Sequence, residues 1–471
     1  MLARKIALNA ILSAATRVFG TLLALVTIGL ITRYLTKTEW GEYSIVLTFG
    51  AIFSVLADGG LYQLLVRDIS REGADEKKIA SNIFSLRLLS SLFVFLLAPA
   101  VSFAFPYSAQ TRWAILIGSL GFWFLSGAQI LMGIFQKHLR MDKVAVAEIA
   151  GRVVQLGLVA VFIWLKLGLL WIMGALFLSS LVNFLLIFWL VQGHGRVGWR
   201  VDFVFWKESI RQSYPLAISG ILTMIYFSSD SLFLSVVKPA TDVGIYRLSY
   251  KILESLIFFP AMFVGLIMPL LSRAAFIDWP RFRMVFQKGM DVLFVLATPI
   301  VFGTFVLSAQ IIGLLGGGNY PESIRVLNIL IVAVGIIFFG TLFSYALIAL
   351  RKQKSLLWIA GTGAVFNVIA NLALIPRYSY LAAATTTVLT EALVVTLMLF
   401  VLRRAVSLRP SFWVGAKSLL AAVMMAGVLW QLRQANFFLL LVIAGVVYCA
   451  LLYLLRGLSV KEISALFKKE A

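Results

Sequence analysis

The sequence predicts an all-α fold: a polytopic membrane protein of about 14 transmembrane helices, in two pseudo-symmetric six-helix lobes with two extra C-terminal helices. Three observations lead there. About fourteen apolar stretches, each near twenty residues long, follow one another from end to end. Lys and Arg collect at alternate connections. Short motifs of the first half recur in the second. A hydrocarbon core ~30 Å thick is crossed by about 20 helical residues. Backbone polar groups have no water to bind there, so each stretch should be a helix.

In chain order the predicted spans are 9–33, 41–65, 80–105, 113–136, 144–166, 168–192, 213–237, 243–271, 286–309, 324–350, 355–375, 380–402, 412–432 and 436–456. The first is too long for the core of a signal peptide and carries Arg17, so it reads as a retained span. The connection at 193–212 is basic and mixed and reads as a cytoplasmic linker between an N-terminal lobe (1–192) and a C-terminal lobe (213–402). Residues 403–471 hold the two additional helices and a cytoplasmic tail.

The net charge of +21 could suggest nucleic acid, but its distribution argues for a membrane. With a cytoplasmic N-terminus, 28 of the 41 Lys and Arg fall in cytoplasmic segments and 8 in outer loops (Arg33, Lys37, Arg112, Lys166, Lys238, Arg325, Arg377, Arg433). That is the positive-inside bias, and it predicts that both termini are cytoplasmic. Basic loops also suit anionic headgroups, so membrane lipids are expected partners and nucleic acid is not. The single Cys449 builds no disulfide or zinc site, and His138 and His194 sit apart in polar loops. No metal or other cofactor is expected.

The repeat is legible in Thr38-Glu39-Trp40-Gly41-Glu42-Tyr43 and Thr241-Asp242-Val243-Gly244-Ile245-Tyr246, at an offset of 203. Leu139-Arg140 and Leu350-Arg351, and Lys166 and Arg377, align at 211. Six spans separate the copies, so both halves enter the membrane in the same sense, as parallel repeats do.

LADGGLYQLLVRDISR at 56–71, SSDSLFLSVVKPATDVGIYRLSYKI at 228–252, IIGLLGGGNYPES at 311–323 and FNVIANLALIPRYSYLAAATTTVLTE at 366–391 carry a resemblance. The chain resembles the bacterial polysaccharide flippases of the multidrug/oligosaccharidyl-lipid/polysaccharide exporter superfamily. One stretch departs: where relatives often carry a Gly-rich YG-x-x-GAA turn, Tyr378, Ser379 and Leu381-Ala382-Ala383 stand here. The resemblance implies a bundle of six plus six helices in the cytoplasmic (inner) membrane of a bacterium or archaeon. It implies movement of a lipid-linked oligosaccharide from the cytoplasmic to the outer leaflet by alternating access, with polysaccharide polymerase and glycosyltransferases as neighbours in the pathway.

Ionisable residues inside spans are the candidates for function, because burying them in lipid is costly. Arg17, Arg87, Arg152, Arg247 and Lys251 are the candidate contacts for an anionic substrate. Asp58, Glu148, Asp230, Glu254 and Glu391 are the candidates for H+ or Na+ coupling, or for pairing with those cations. Glu148, Arg152 and Gln155 share a helical face at i, i+4 and i+7, and Arg247, Lys251 and Glu254 repeat that spacing. Structural readings stand beside these: an ion pair between helices for Glu148 and Arg152, a helix-terminus contact for Asp58, and polar glue for Glu391 with Asn367 and Asn371. Pro260 and Pro269 predict a bend after the Arg247 face. Shifted by 203, that charged face falls on Ser44, Thr48 and Ala51, so the scaffold repeats and the charge does not.

A guanidinium is a planar, permanently charged fork suited to phosphate oxygens. Together with that charge placement, the resemblance implies as the first reading a flippase for a polyprenyl-pyrophosphate oligosaccharide repeat unit in O-antigen, capsule or exopolysaccharide synthesis. A lipid II flippase and an ion-coupled multidrug exporter of the same superfamily are the alternatives. A membrane glycosyltransferase or polymerase fits less well. No loop exceeds about twenty residues, and Gly316-Gly317-Gly318 lacks the Lys and Ser/Thr of a phosphate-binding loop.

Overall fold

A computed structural model describes residues 2–193, 197–275, 277–406 and 410–457, with side chains except at 2–15, 17, 215, 219 and 226. His194 and the side chain of Arg17 lie outside the described residues. Among the described residues there are helices and no strand. The order is α1 (Leu2–Tyr34), α2 (Lys37–Asp58), α3 (Leu61–Ile69), α4 (Glu76–Ser102), α5 (Ala109–Lys137), α6 (Met141–Trp164), α7 (Leu169–Gln192), α8 (Phe203–Val237), α9 (Ala240–Leu256), α10 (Phe258–Ala274), α11 (Trp279–Gly316), α12 (Pro321–Ala349), α13 (Gln353–Val406), α14 (Trp413–Gln431) and α15 (Phe437–Leu454). A 3-10 turn at Gly317–Asn319 joins α11 to α12.

By length and apolarity eleven described helical segments can cross a membrane, with α9 and α10 counted as one, or twelve if the bent pair within α8 is one span. Each of the fourteen expected segments falls on helix, but they are not fourteen separate helices. The 54-residue α13 carries two of them, broken at Ser379, whose φ of 51° and ψ of −133° leave helical space. The second expected span is interrupted too: α2 stops at Asp58 and α3 starts at Leu61, across Gly59 and Gly60 at φ 52° and 76°. Left-handed backbone is open to glycine at little cost, so this pair ends α2 sharply. The break expected near Pro260 lies at Ile257, between α9 and α10. The proline ring opposes the carbonyl four residues back, that of Leu256, where α9 ends.

Helix starts are capped where the chain turns. Thr36 Oγ1 accepts the Glu39 N–H at 3.2 Å, and Glu39 Oε2 accepts the Thr36 N–H at 3.0 Å, a reciprocal capping box. Asp75, Ser108, Asp202 and Asp278 accept from the third residue onward at the starts of α4, α5, α8 and α11. Each satisfies one of the N–H groups that a helix start leaves orphaned.

The chain parts into two compact units, Met1–Gly244 and Ile245–Ala471. By contacts α8 therefore belongs with the first unit, whereas the repeat sets it at the head of the second half. In the first unit α5 is central and touches α2, α3, α4, α6 and α7, while α1 lies on α6. Its core is aliphatic and aromatic: Leu64, Leu65, Ile83, Phe84, Ile130, Ile134 and Phe135. The segment before α8 lies along α4. Ser81 Oγ accepts the Gly198 N–H at 3.2 Å, Ser85 Oγ accepts the Arg200 N–H at 2.9 Å, and Trp206 Nε1 donates to the Asn82 carbonyl at 3.1 Å.

The repeated motif explains itself in the same unit. Its two copies open α2 and α9, and they meet. A Cβ on Gly41 would lie 1.7 Å from the Ala240 carbonyl oxygen, and one on Gly244 would lie 2.9 Å from the Trp40 ring. Trp40 Nε1 donates to the Gly244 carbonyl at 3.0 Å. Tyr107 and Ser235 join their hydroxyls nearby at 2.7 Å.

In the second unit α12 touches α10, α11 and α13, and α14 and α15 pack on α11 around Leu307, Ala421, Met425, Leu429 and Tyr448.

Candidate functional site

The first unit holds a polar cavity of about 470 Å³, walled by α1, α3, α5 and α6. Thr16 and Gly20 come from α1, Tyr62 from α3, Gln129 from α5, and Glu148 and Arg152 from α6. Two of the predicted residues, Glu148 and Arg152, thus share one cavity. The i, i+4 spacing allows them to pair, but no such pair stands among the described ion pairs. Arg152 Nη1 instead donates to the Gly20 carbonyl at 3.0 Å. The stem of Arg152 crosses α1 where Gly20 has no side chain, and a Cβ there would sit 3.1 Å from Arg152 Nε. The small residue lets the guanidinium reach a carbonyl oxygen that a longer side chain would screen.

Arg87 is placed differently. Its side chain is 0% exposed, deep between α2, α4 and α5. Nη1 donates to the Ala57 carbonyl at 2.5 Å and pairs with Asp58 Oδ1 at 3.0 Å. Nε donates to Ser126 Oγ at 2.8 Å, and Nη2 to Gln129 Oε1 at 3.3 Å. Asp58 also accepts the Gly60 N–H through Oδ2 at 3.2 Å, so it makes the helix-terminus contact and the ion pair together. Arg87 thereby ties the end of α2 to α5, one residue behind the cavity wall, through Gln129. Asp230 is buried in α8, flanked by the buried Ser229 and Ser231.

In the second unit Glu254 bridges two cations. Its Oε2 accepts from Lys251 Nζ at 2.9 Å, and its Oε1 lies 3.4 Å from Arg247 Nη2. The Arg247 guanidinium also stands 5.2 Å over the Tyr250 ring. All three side chains stay partly exposed. Glu391 is buried beside a chain in which Asn371 donates to Asn367 at 2.8 Å and Asn367 to Thr390 at 3.3 Å. That chain joins the two arms of α13.

The sequence reading missed the uncharged part of the site. Tyr62 donates to Gln136 at 2.6 Å, and Gln129 connects Arg87 to the cavity. A glutamine in an apolar span was the available signal. Gly20 gave none, because its use appears only when α1 meets Arg152. Gln155, on the same predicted face, does not line the cavity.

An apolar helical bundle with a polar cavity recessed among its helices defines a multi-pass membrane protein able to admit a polar group. The polysaccharide biosynthesis protein family matches residues 6–275, more than half of the chain, and the chain belongs to that family. Over 218 residues it is 26% identical to a probable flippase, AglR, of Haloferax volcanii, covering 46% of each protein, so it spans about half the length of the curated relative it matches. Among solved structures it is similar to the lipid II flippase MurJ in an inward closed conformation, with a TM-score of 0.75 and 14% identity over 94% of this chain and 98% of that one. It is also similar to an inward-facing multidrug resistance MATE family transporter of the MOP superfamily, with a TM-score of 0.62 and 14% identity over 84% and 98%. These likenesses give the fold. The relatives are flippases and transporters, not enzymes.

Proposed function

We propose that this protein flips a polyprenyl-pyrophosphate-linked oligosaccharide from the cytoplasmic to the outer leaflet by alternating access, supplying O-antigen, capsule or exopolysaccharide synthesis. The observation that carries the reading is Arg152, a guanidinium set in the wall of a polar cavity inside a membrane bundle. A pyrophosphate and its sugars cannot cross hydrocarbon unaided. A fixed guanidinium replaces their lost hydration with charge-assisted hydrogen bonds. Arg247 and Lys251 offer a second cationic face, held by Glu254 while no phosphate competes. Arg87 serves the site by positioning, since it is enclosed.

Ion coupling needs a carboxylate that solvent can reach. Asp58 is committed to Arg87, and Glu254 to its two cations. Glu148 lines the cavity and is the group proposed to bind H+ or Na+. A peptidoglycan precursor carries the same pyrophosphate, and the likeness to the MurJ fold favours lipid II as the second reading.

The test is flipping in proteoliposomes of three substrates: a lipid-linked oligosaccharide repeat unit, lipid II and a cationic dye. Faster flipping of the repeat unit supports the first reading. Preference for lipid II selects the second. Transport of the dye alone overturns both.

A further inference from the structure

A second, smaller pocket lies at the other end of the first unit, away from the transport cavity. It encloses about 310 Å³ between the end of α4 and the first turns of α5. Pro99, Phe103, Ala109, Arg112, Trp113 and Leu116 line it. The walls are apolar, and the one charge is Arg112. Its guanidinium lies 4.8 Å from the centre of the Phe103 ring, and Nη2 makes a single long contact, 3.5 Å, with the Phe105 carbonyl. Nε is buried and has no hydrogen-bond partner among the described residues. A guanidinium nitrogen shut from water without an acceptor is costly. Phe103 and Trp113 are 68% and 61% exposed, and they flank the opening.

We infer that this pocket binds the phosphate of an anionic phospholipid in the outer leaflet, with Arg112 as the phosphate contact. The Lys and Arg bias sets this end of the bundle at the outer headgroups, where exposed aromatic rings commonly anchor. Arg is well fitted to phosphate oxygens, and an apolar wall of Leu116 and Trp113 suits the first methylenes of an acyl chain. The phosphate would accept from the terminal Nη groups, since Nε is closed off by the protein. A resident lipid there would hold the α4–α5 corner in place while the cavity opens and closes elsewhere.

Tryptophan quenching by brominated lipid tests this on the full chain in vesicles. Trp113→Phe assigns the Trp113 signal, and Trp164→Phe assigns that of Trp164, 80% exposed on another helix. Brominated phosphatidylglycerol is compared with a brominated galactolipid of the same chains at equal mole fraction. The expected result is a preference of at least about threefold for phosphatidylglycerol at Trp113, none at Trp164, and loss of the Trp113 preference in Arg112→Gln. An unchanged Trp164 signal shows that variant intact. Equal quenching of native Trp113 by both lipids would overturn the inference, as would a preference that survives Arg112→Gln. The native comparison decides alone if the variant does not fold.

Discussion

Arg152 Nη1 donates to the Gly20 carbonyl at 3.0 Å, so a cationic side chain of α6 is anchored on the backbone of α1. The anchor leaves other guanidinium N–H groups for the cavity. It also makes Gly20 part of the site although it carries no chemistry.

Enlarging Gly20 should therefore act through Arg152. A Cβ at Gly20 sits 3.1 Å from Nε, so Gly20→Ala shifts the guanidinium slightly and Gly20→Val displaces it from the carbonyl. We expect affinity for a polyprenyl-pyrophosphate glycan to fall about tenfold in Gly20→Val, about 1.4 kcal/mol. Titration of the purified protein measures it. Unchanged affinity would mean that the anchor has no part in binding.

Arg87 is predicted to matter for stability before transport. Its charge is wholly enclosed and held by Asp58, Ala57, Ser126 and Gln129. Removing one partner of a fully buried pair costs about 3–5 kcal/mol, and the loss here falls below that because Asp58 stays 21% exposed and keeps the Gly60 N–H. Arg87→Ala should melt well below the native protein in detergent. Arg87→Met combined with Asp58→Leu should recover part of that loss, because no charge is then stranded. Equal melting of Arg87→Ala and the native protein would refute the assignment.

The Gly41 contact should act as a closure. A methyl at Gly41 cannot coexist with the Ala240 carbonyl 1.7 Å away, so α2 and the start of α9 must separate. In a background with Cys449→Ser, a cysteine in place of Ser235 should react several-fold faster with a water-soluble maleimide once Gly41→Val is added. Ser235 is buried against Tyr107 in the native chain. No change in labelling would show that the glycines meet without closing anything.

Ser379→Gly should stabilise. Ser379 holds φ 51° and ψ −133°, a region costing non-glycine residues about 1–3 kcal/mol. The expected gain is about 1 kcal/mol, visible as a higher melting temperature with transport retained. A lower melting temperature would mean that the Ser379 side chain contributes more than the strain it imposes.

Much of the fold was legible because one force dominates. Apolar runs long enough to cross a bilayer leave few alternatives, so the helices could be read from composition alone. The break at Gly59-Gly60 was written in the sequence as two glycines after Asp58, yet continuous hydropathy hid it. The repeat was legible in Gly41 and Gly244, and the structure shows why: each must admit the other's helix. Further on the register slips, since the positive φ stands at Leu139 in one copy and at Arg351, one residue past the aligned Leu350, in the other. The Gly-rich turn seen in relatives was missing at Ser379, and the backbone there still takes a positive φ.

The site was only partly legible. Periodicity placed Glu148 and Arg152 on one face, and they do share the cavity. It could not show that Arg152 turns to Gly20, because that depends on how α1 packs against α6. Nor could it separate Arg87 from Arg152. Both are arginines within apolar spans, and only packing encloses the first and leaves the second at a cavity wall.

The central claim is that partly exposed cations within the helical bundle, Arg152 and Lys251, receive a phosphate-bearing headgroup. It is tested most directly by the rate of lipid-linked oligosaccharide flipping in proteoliposomes carrying Arg152→Ala, Lys251→Ala or the control Lys238→Ala, at the turn between α8 and α9. Loss of a charge-assisted contact of about 1.5–3 kcal/mol predicts roughly tenfold to hundredfold slower flipping in the first two, with the control near native. Native rates in Arg152→Ala and Lys251→Ala would contradict the account.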